Sequence, residues 1–169
     1  EVEVEREVIV EKEKDAIFHP QFGLLLADLV HKRVYLSKLS QIAKTPVWHR
    51  NRTFRHERSQ EIAAEKVQDG SVSTGFPGAL CVFESADATG VVDGQHRIGA
   101  LKALESIGYW DADTHNVLVE VHPVETEDQV SKLFSDINKA EPVKIIDLPE
   151  GGAKDQEKII LDSAVLELQ

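Results

Sequence analysis

The chain has 169 residues, of which 41% are hydrophobic and 29% are charged, a balance typical of one globular domain. No apolar run reaches the roughly 18 residues that a membrane-spanning helix needs, so no membrane partner is expected. The formal net charge of −11 argues against a protein that grips a DNA backbone, and DNA binding by this domain alone is not expected. The one cysteine, Cys81, predicts a buried strand position and favours an intracellular, reducing compartment. Because the chain contains no methionine, we expect a domain cut from a longer protein.

The first half of the chain predicts one strand and three helices around a basic loop. Residues 1–15 alternate apolar and charged side chains, which is typical of a half-buried strand or of a charged linker. Two segments, 23–32 and 35–44, predict short helices, the second with its apolar residues on one face. A third helix is expected over 59–70, because good helix formers end there at a glycine, where a left-handed cap usually falls.

The second half predicts a hairpin, a helix that follows it, and further elements. Residues 78–93 predict a β-hairpin, and the hydrophobic period changes at its end, so a helix is expected over 94–107. Thr126 with Gln129 predicts a capping box for a helix that ends near Asn138. The remaining predictions are a strand at 116–124, an extended piece at 142–148 and a last helix within 150–169, cut short by the end of the chain. Together they indicate a single α+β domain over 1–169, a small mixed sheet with helices packed beside it.

Residues 44–58 reverse the acidic balance of the chain. The segment "KTPVWHRNRTFRHER" contains one lysine and four arginines against one acid, Glu57, and aromatic residues are interleaved with them. Two interpretations stay open: a solvated loop, or one wall of a site for phosphate or nucleic acid. Under the second interpretation, Arg55 or Arg58 should lie on the same cleft as Arg97, which belongs to the motif described next.

The stretch "VVDGQHRIGALKAL" (91–104) places a polar triplet in the first turn of a helix that is otherwise built for burial. The free amides of a first turn, together with the helix dipole, attract an anion. Gly94 lets a ligand approach the backbone, and Gln95, His96 and Arg97 add polar groups at the same end. The motif therefore predicts a phosphate cradle, with Arg97 facing solvent. The residues expected to anchor the helix in the core are Ile98, Leu101, Leu104 and Ile107.

Asp93 has two possible roles at this junction. It lies where an N-cap residue belongs, and a carboxylate there commonly accepts hydrogen bonds from the first turn. A carboxylate beside a bound phosphate is otherwise repelled, unless a cation lies between them or it holds a proton. The functional interpretation makes Asp93 a ligand for Mg²⁺ or a base that takes a proton from a hydroxyl nucleophile. Asp93 and His96 are therefore the candidate catalytic residues.

The string "DGQHR", with a helix and hairpin before it and "LFSDINKAEPV" (133–143) after it, resembles the signature of the DGQHR proteins. These form a DndB-like branch of the ParB/sulfiredoxin-like superfamily, and the resemblance covers roughly residues 45–145. It implies a ParB/sulfiredoxin-like fold. Relatives bind a nucleotide with this loop: sulfiredoxin uses ATP, ParB uses CTP, and a free-serine kinase uses ADP.

The resemblance also implies roles for individual residues. Gly94, Gln95, His96 and Arg97 become the candidate phosphate site, for ATP or ADP first and CTP as an alternative, with Mg²⁺ at Asp93. Sulfinic acid reductase activity is not expected, because Gln95 takes the place of the cysteine that sulfiredoxin needs in its motif. Asn138 is open to two interpretations: a left-handed helix cap, or an amide that reaches back to support the motif loop.

Three functions are compatible with these patterns. The first is a nucleotide-binding domain with phosphotransferase or NTPase activity, acting on an unknown phosphoryl acceptor or protein partner. The second is a non-catalytic regulatory module that uses the same cradle to sense a nucleotide or a nucleic-acid end. The third is a nuclease-like, DNA-processing domain; the acidic balance and the lack of clustered carboxylates count against it.

Overall fold

The computed structural model describes residues 15–139, which form a six-stranded mixed sheet with four helices packed beside it. The expected α+β fold class is therefore confirmed. Predictions for residues before 15 and after 139 lie outside the described residues; these are the lead-in strand, the extended piece at 142–148 and the last helix. One compact unit extends to Ser135, and a second begins at Asp136, of which only the end of a helix and Lys139 are described.

The sheet has the strand order β1-β2-β3-β6-β4-β5, and each strand is short. β4 and β6 run parallel, with Leu80 opposite Val119, and the remaining neighbours are antiparallel. This arrangement places β5 at one edge of the sheet, and the motif follows β5 directly. The strands are β1 Phe18–His19, β2 Gly23–Asp28, β3 Arg33–Lys38, β4 Leu80–Glu84, β5 Thr89–Asp93 and β6 Asn116–Pro123.

The helices supply the other side of the core. Fully buried side chains from the sheet, such as Val82, Val91 and Val119, meet Leu101 and Leu104 of the motif helix in one hydrophobic cluster. None of the helices within residues 15–139 has the length and apolar character needed to cross a membrane. The helices are α1 Leu39–Ile42, α2 His56–Gln68, α3 Gln95–Ser106 and α4 Glu127–Asn138, with a short 3₁₀ turn at Val72–Thr74.

The helix predicted at 23–32 is wrong, because 23–28 form β2. The helix predicted at 35–44 is wrong in its first part, because 35–38 belong to β3. β3 pairs with β6 without interruption, from Arg33 opposite Val121 to Lys38 opposite Asn116. Burial alternates along β3 with the period of two that belongs to a strand, and this signal is hidden by the leucines around it. Only four residues of the second segment become helical, as α1.

The junction between hairpin and motif helix is confirmed. β4 and β5 form the expected antiparallel hairpin, β5 ends at Asp93, and α3 begins at Gln95. Two details are wrong. Gly94, not Asp93, is the N-cap residue, and no side chain among residues 15–139 caps the helix. Ile107 does not anchor the core, because α3 ends one residue earlier and Ile107 is 60% exposed.

Candidate functional site

The amino-terminal end of α3 is open at the backbone. Gly94 has φ +106, a left-handed conformation that favours glycine, and it turns the chain from β5 into the helix. A Cβ at this position would lie 2.3 Å from Leu80 Cδ2 and 3.2 Å from Arg97 Nη2, so glycine is also required by space. Within the described residues no side chain caps α3, and first-turn N–H groups of this kind attract an anion.

Gln95 fastens the basic segment (residues 44–58) to α3. Its side chain is buried, and Nε2 donates to the carbonyl oxygen of Arg52 at 2.7 Å. Asn51 holds the same segment to the edge strand, because its Nδ2 donates to the carbonyls of Val91 and Val92, both at 3.0 Å. The basic segment is therefore anchored at the motif by two amide side chains.

His96 is held by three contacts with the same region. Its Nε2 accepts a hydrogen bond from the backbone N–H of Arg55 at 3.0 Å. Its ring stacks on Phe54 with centroids 5.3 Å apart and 11° between the planes. The hydroxyl of Ser59 donates to the His96 carbonyl at 3.1 Å. Because Nε2 acts as an acceptor, this network assigns the neutral tautomer with its proton on Nδ1.

The field around His96 is positive. Burial lowers the pKa of His96, and the nearby charges of Arg55, Arg58 and Arg52 lower it further. Arg58 has an ion pair with Glu61, at 3.4 Å on the surface of α2. The positive charges of the basic segment therefore act on His96, in the first turn of α3.

Arg97 does not face solvent, so that expectation is wrong. Its side chain is only 22% exposed, and it donates to the carbonyls of Pro77 and Ala79, both at 3.3 Å, and to Asp93 at 3.0 Å. The basic segment contacts His96 through the Arg55 N–H, whereas Arg97 contacts the loop before β4. Arg97 therefore connects that loop to the motif through hydrogen bonds.

Asp93 lies beside the open amides but does not cap them. Its carboxylate is half-exposed and pairs with Arg97 at 3.0 Å. Among residues 15–139, no group of three or more His, Cys, Asp or Glu side chains is placed to hold a metal ion. Mg²⁺ is commonly held by one or two carboxylates together with substrate phosphates. Asp93 therefore fits Mg²⁺ only as one ligand beside a bound nucleotide.

Asn138 is the last residue of α4 and is exposed. It belongs to the unit that begins at Asp136, so its predicted role towards the motif stays a prediction.

The start of α4 matches in part the capping box that Thr126 and Gln129 predict. The N–H of Gln129 donates to Thr126 Oγ1 at 3.3 Å, but the Gln129 side chain accepts from Glu125, one residue earlier than the box requires.

Among the cavities that border α3, two are lined by residues of its first turn. The larger, of about 480 Å³, is lined by Phe54, His56 and Gln95, and also by Ile98 and Gly99 of α3. The other, of about 360 Å³, is bounded by α3, β3, β6 and the loop at 74–78.

The sequence analysis did not identify Phe54, Ser59 and Asn51 as residues of the site. The aromatic residues interleaved with arginines were a signal for Phe54, whereas the contacts of Ser59 and Asn51 depend on tertiary structure alone.

No family model matches the chain, and no curated protein matches it. The resemblance to DGQHR proteins therefore stays a prediction carried by the motif and the segments around it.

Proposed function

We propose that this domain binds the phosphate groups of a nucleotide, ATP or ADP, at the amino-terminal end of α3. The observation that carries the proposal is that the basic segment, with Arg52 and Arg55, is hydrogen-bonded to His96 and Gln95 in the first turn of α3, whose amides no side chain of residues 15–139 caps. A chain with net charge −11 repels anions in general, so a local cluster of cations has to attract them. Open amides and the helix dipole then add hydrogen bonds and a favourable field.

The residues around this end of α3 have distinct tasks in the proposal. The amides of the first turn donate to phosphate oxygens, and Gly94 starts that turn in the left-handed conformation that glycine favours. Arg55 and Arg58 supply positive charge from the basic segment. His96, neutral and with Nδ1–H as its donor, positions Arg55 through the bond to Nε2. Arg97 acts as a positioning residue, since its guanidinium already serves two carbonyls and Asp93.

Phosphotransferase or NTPase activity is the further part of the proposal and depends on Asp93. When bound, Mg²⁺ would neutralise charge on the phosphates, with Asp93 as its ligand from the motif. Asp93 could alternatively accept the proton of a hydroxyl acceptor. The geometry supports binding better than catalysis, because Arg97 already pairs with this carboxylate. The same pairing favours a second candidate, a non-catalytic module that senses the nucleotide.

Calorimetry with ADP tests the binding proposal. Arg55→Gln removes one positive charge but keeps the backbone N–H that donates to His96, so the loop stays in place. We expect its affinity for ADP to fall about tenfold, the size of a lost charge-assisted hydrogen bond. Arg33→Gln is the matched control, because Arg33 pairs with Asp28 on the β2–β3 hairpin. Its affinity should remain within about twofold.

The proposal is wrong if ADP does not bind, or if both variants bind it equally well. Two further measurements separate the candidate functions. ATP turnover with and without Mg²⁺ distinguishes an enzyme from a sensing module. A salt titration with a labelled DNA oligonucleotide tests the nucleic-acid alternative, since binding through a phosphate backbone weakens steeply as salt rises.

A further inference from the structure

Helices α2 and α3 approach each other closely at Gly99. A Cβ at this position would lie 2.4 Å from Ser59 Oγ and 2.9 Å from Phe54 Cζ, and real Cβ atoms essentially never come so near to other atoms. Gly99 lies inside α3, where glycine is disfavoured because its backbone loses more freedom on folding than that of alanine. The glycine is therefore explained by the space that Ser59 and Phe54 occupy.

Both of the side chains that fill this space also contact His96. Ser59 on α2 is 1% exposed, and its hydroxyl donates to the His96 carbonyl at 3.1 Å. Phe54 stacks on the His96 ring, with centroids 5.3 Å apart and 11° between the planes. A side chain at position 99 would force one or both of these groups to move. The glycine thus permits two of the contacts of His96.

The same alignment determines where the basic segment meets α3. Arg55 is the N-cap residue of α2 and directly follows Phe54. Its N–H donates to His96 Nε2 at 3.0 Å, so the imidazole holds the segment at the start of α2. Ser59 holds α2 about one turn later, through the carbonyl of the same histidine. A shift of α2 along α3 would therefore move Arg55 relative to the first-turn amides.

We propose that Gly99 and Ser59 are positioning residues for the first turn of α3, because they hold α2 where the end of the basic segment stays against His96. Their effect on a ligand rests on the proposed function, whereas their effect on His96 does not. The alternative is that both residues only pack one helix against the other. In that case, substitutions would change the stability of the domain and leave the surroundings of His96 as they are.

Nuclear magnetic resonance of the His96 ring protons, without ligand, tests the alignment. His96→Asn assigns their signals among those of the seven histidines. Gly99→Ala should remove much of the ring-current shift that the stacked Phe54 causes. It should also raise the pKa of His96, because burial lowers this pKa and the charges of the nearby arginines lower it further. Ser59→Ala should change both quantities in the same direction by a smaller amount.

Calorimetry with ADP measures the effect on the proposed site. Gly99→Ala should weaken binding about tenfold, because a displaced Arg55 loses the equivalent of one charge-assisted contact. Ser59→Ala removes one neutral hydrogen bond and adds no atoms, so a smaller loss of about threefold is expected. Together the two substitutions should weaken binding by less than the product of the single losses. The reason is that Ser59→Ala removes the closest atom that the new Cβ would meet.

Ser106→Ala is the matched control for both measurements. Its hydroxyl donates to the Ala103 carbonyl at 2.7 Å, so it is also bonded to the backbone of α3, but at the end of the helix opposite to His96. It should leave the His96 signals and the affinity for ADP as they are in the wild type.

The proposal is overturned if neither Gly99→Ala nor Ser59→Ala changes the His96 signals, whatever happens to the stability of the domain. If Gly99→Ala does not fold, Ser59→Ala decides in the same way, since it removes only one oxygen atom. If the variants change the His96 signals and the wild type does not bind ADP, the positioning role stands and the nucleotide proposal fails. If the wild type and both variants bind ADP equally well, the nucleotide proposal stands, and Gly99 and Ser59 have no part in the site.

Discussion

Replacing Arg97 with alanine should destabilise the domain, since the guanidinium connects the motif to the loop before β4. The substitution removes hydrogen bonds to the carbonyls of Pro77 and Ala79, both at 3.3 Å, and the 3.0 Å pair with Asp93. The two carbonyl bonds are long, so we assign each about 0.5–1 kcal/mol. The ion pair joins side chains that are 22% and 50% exposed, and solvent limits it to about 0.5 kcal/mol. The free energy of unfolding should therefore fall by about 2 kcal/mol.

Urea unfolding monitored by circular dichroism measures this change. The transition should shift to lower urea with an unchanged slope, because the unfolded surface is the same. Lys102→Ala is the matched control, a cation on the same helix that is exposed, and it should change the free energy by less than about 0.5 kcal/mol. Equal stability of the two variants would refute the reasoning and return Arg97 to the solvent-facing role that the sequence predicted.

Three further predictions concern the turn, the carboxylate and the histidine of the motif. Gly94→Ala should cost at least about 1 kcal/mol more in thermal or urea unfolding than Gly70→Ala, because both residues have positive φ but only the former would clash. Asp93→Asn should not weaken ADP binding in calorimetry, since it removes a charge that repels phosphate, and it should abolish any ATP turnover that the wild type shows. The pKa of His96 is lowered in the folded state, so its contribution to stability is present above the ordinary histidine pKa of about 6.5 and is lost as pH falls through the folded pKa. His96→Asn should flatten this acid-side loss in unfolding curves, and ADP should raise the imidazole pKa measured by nuclear magnetic resonance; a wild type and variant with the same pH profile would contradict this account.

Local sequence patterns predicted the junction that positions the site. The change of hydrophobic period after Asp93 places a strand before the motif and a helix after it, and the structure confirms both. The unusual charge of residues 44–58 also marked the segment that approaches α3. These features are visible in the sequence because they depend on neighbours a few positions apart.

The region of β2 and β3 shows where such patterns fail. Leucines in 23–32 and 35–44 are compatible with a helical face, and propensity alone does not oppose a helix there. The structure makes strands of 23–28 and 33–38. β3 pairs along its whole length with β6, whose residues lie about 80 positions later in the chain. Partners at that distance in sequence leave no local signal.

The sequence by itself determined that the polar triplet would open a buried helix and that a basic segment would contrast with an acidic chain. Tertiary structure decided what each side chain of the triplet contacts. Gln95 reaches a carbonyl 43 residues earlier, and Arg97 reaches carbonyls 18 and 20 residues earlier. A long polar side chain in a first turn can bond to solvent, ligand or protein with similar geometry. The loops that the fold brings beside α3 select among these partners, because a buried donor has to find an acceptor where water is excluded.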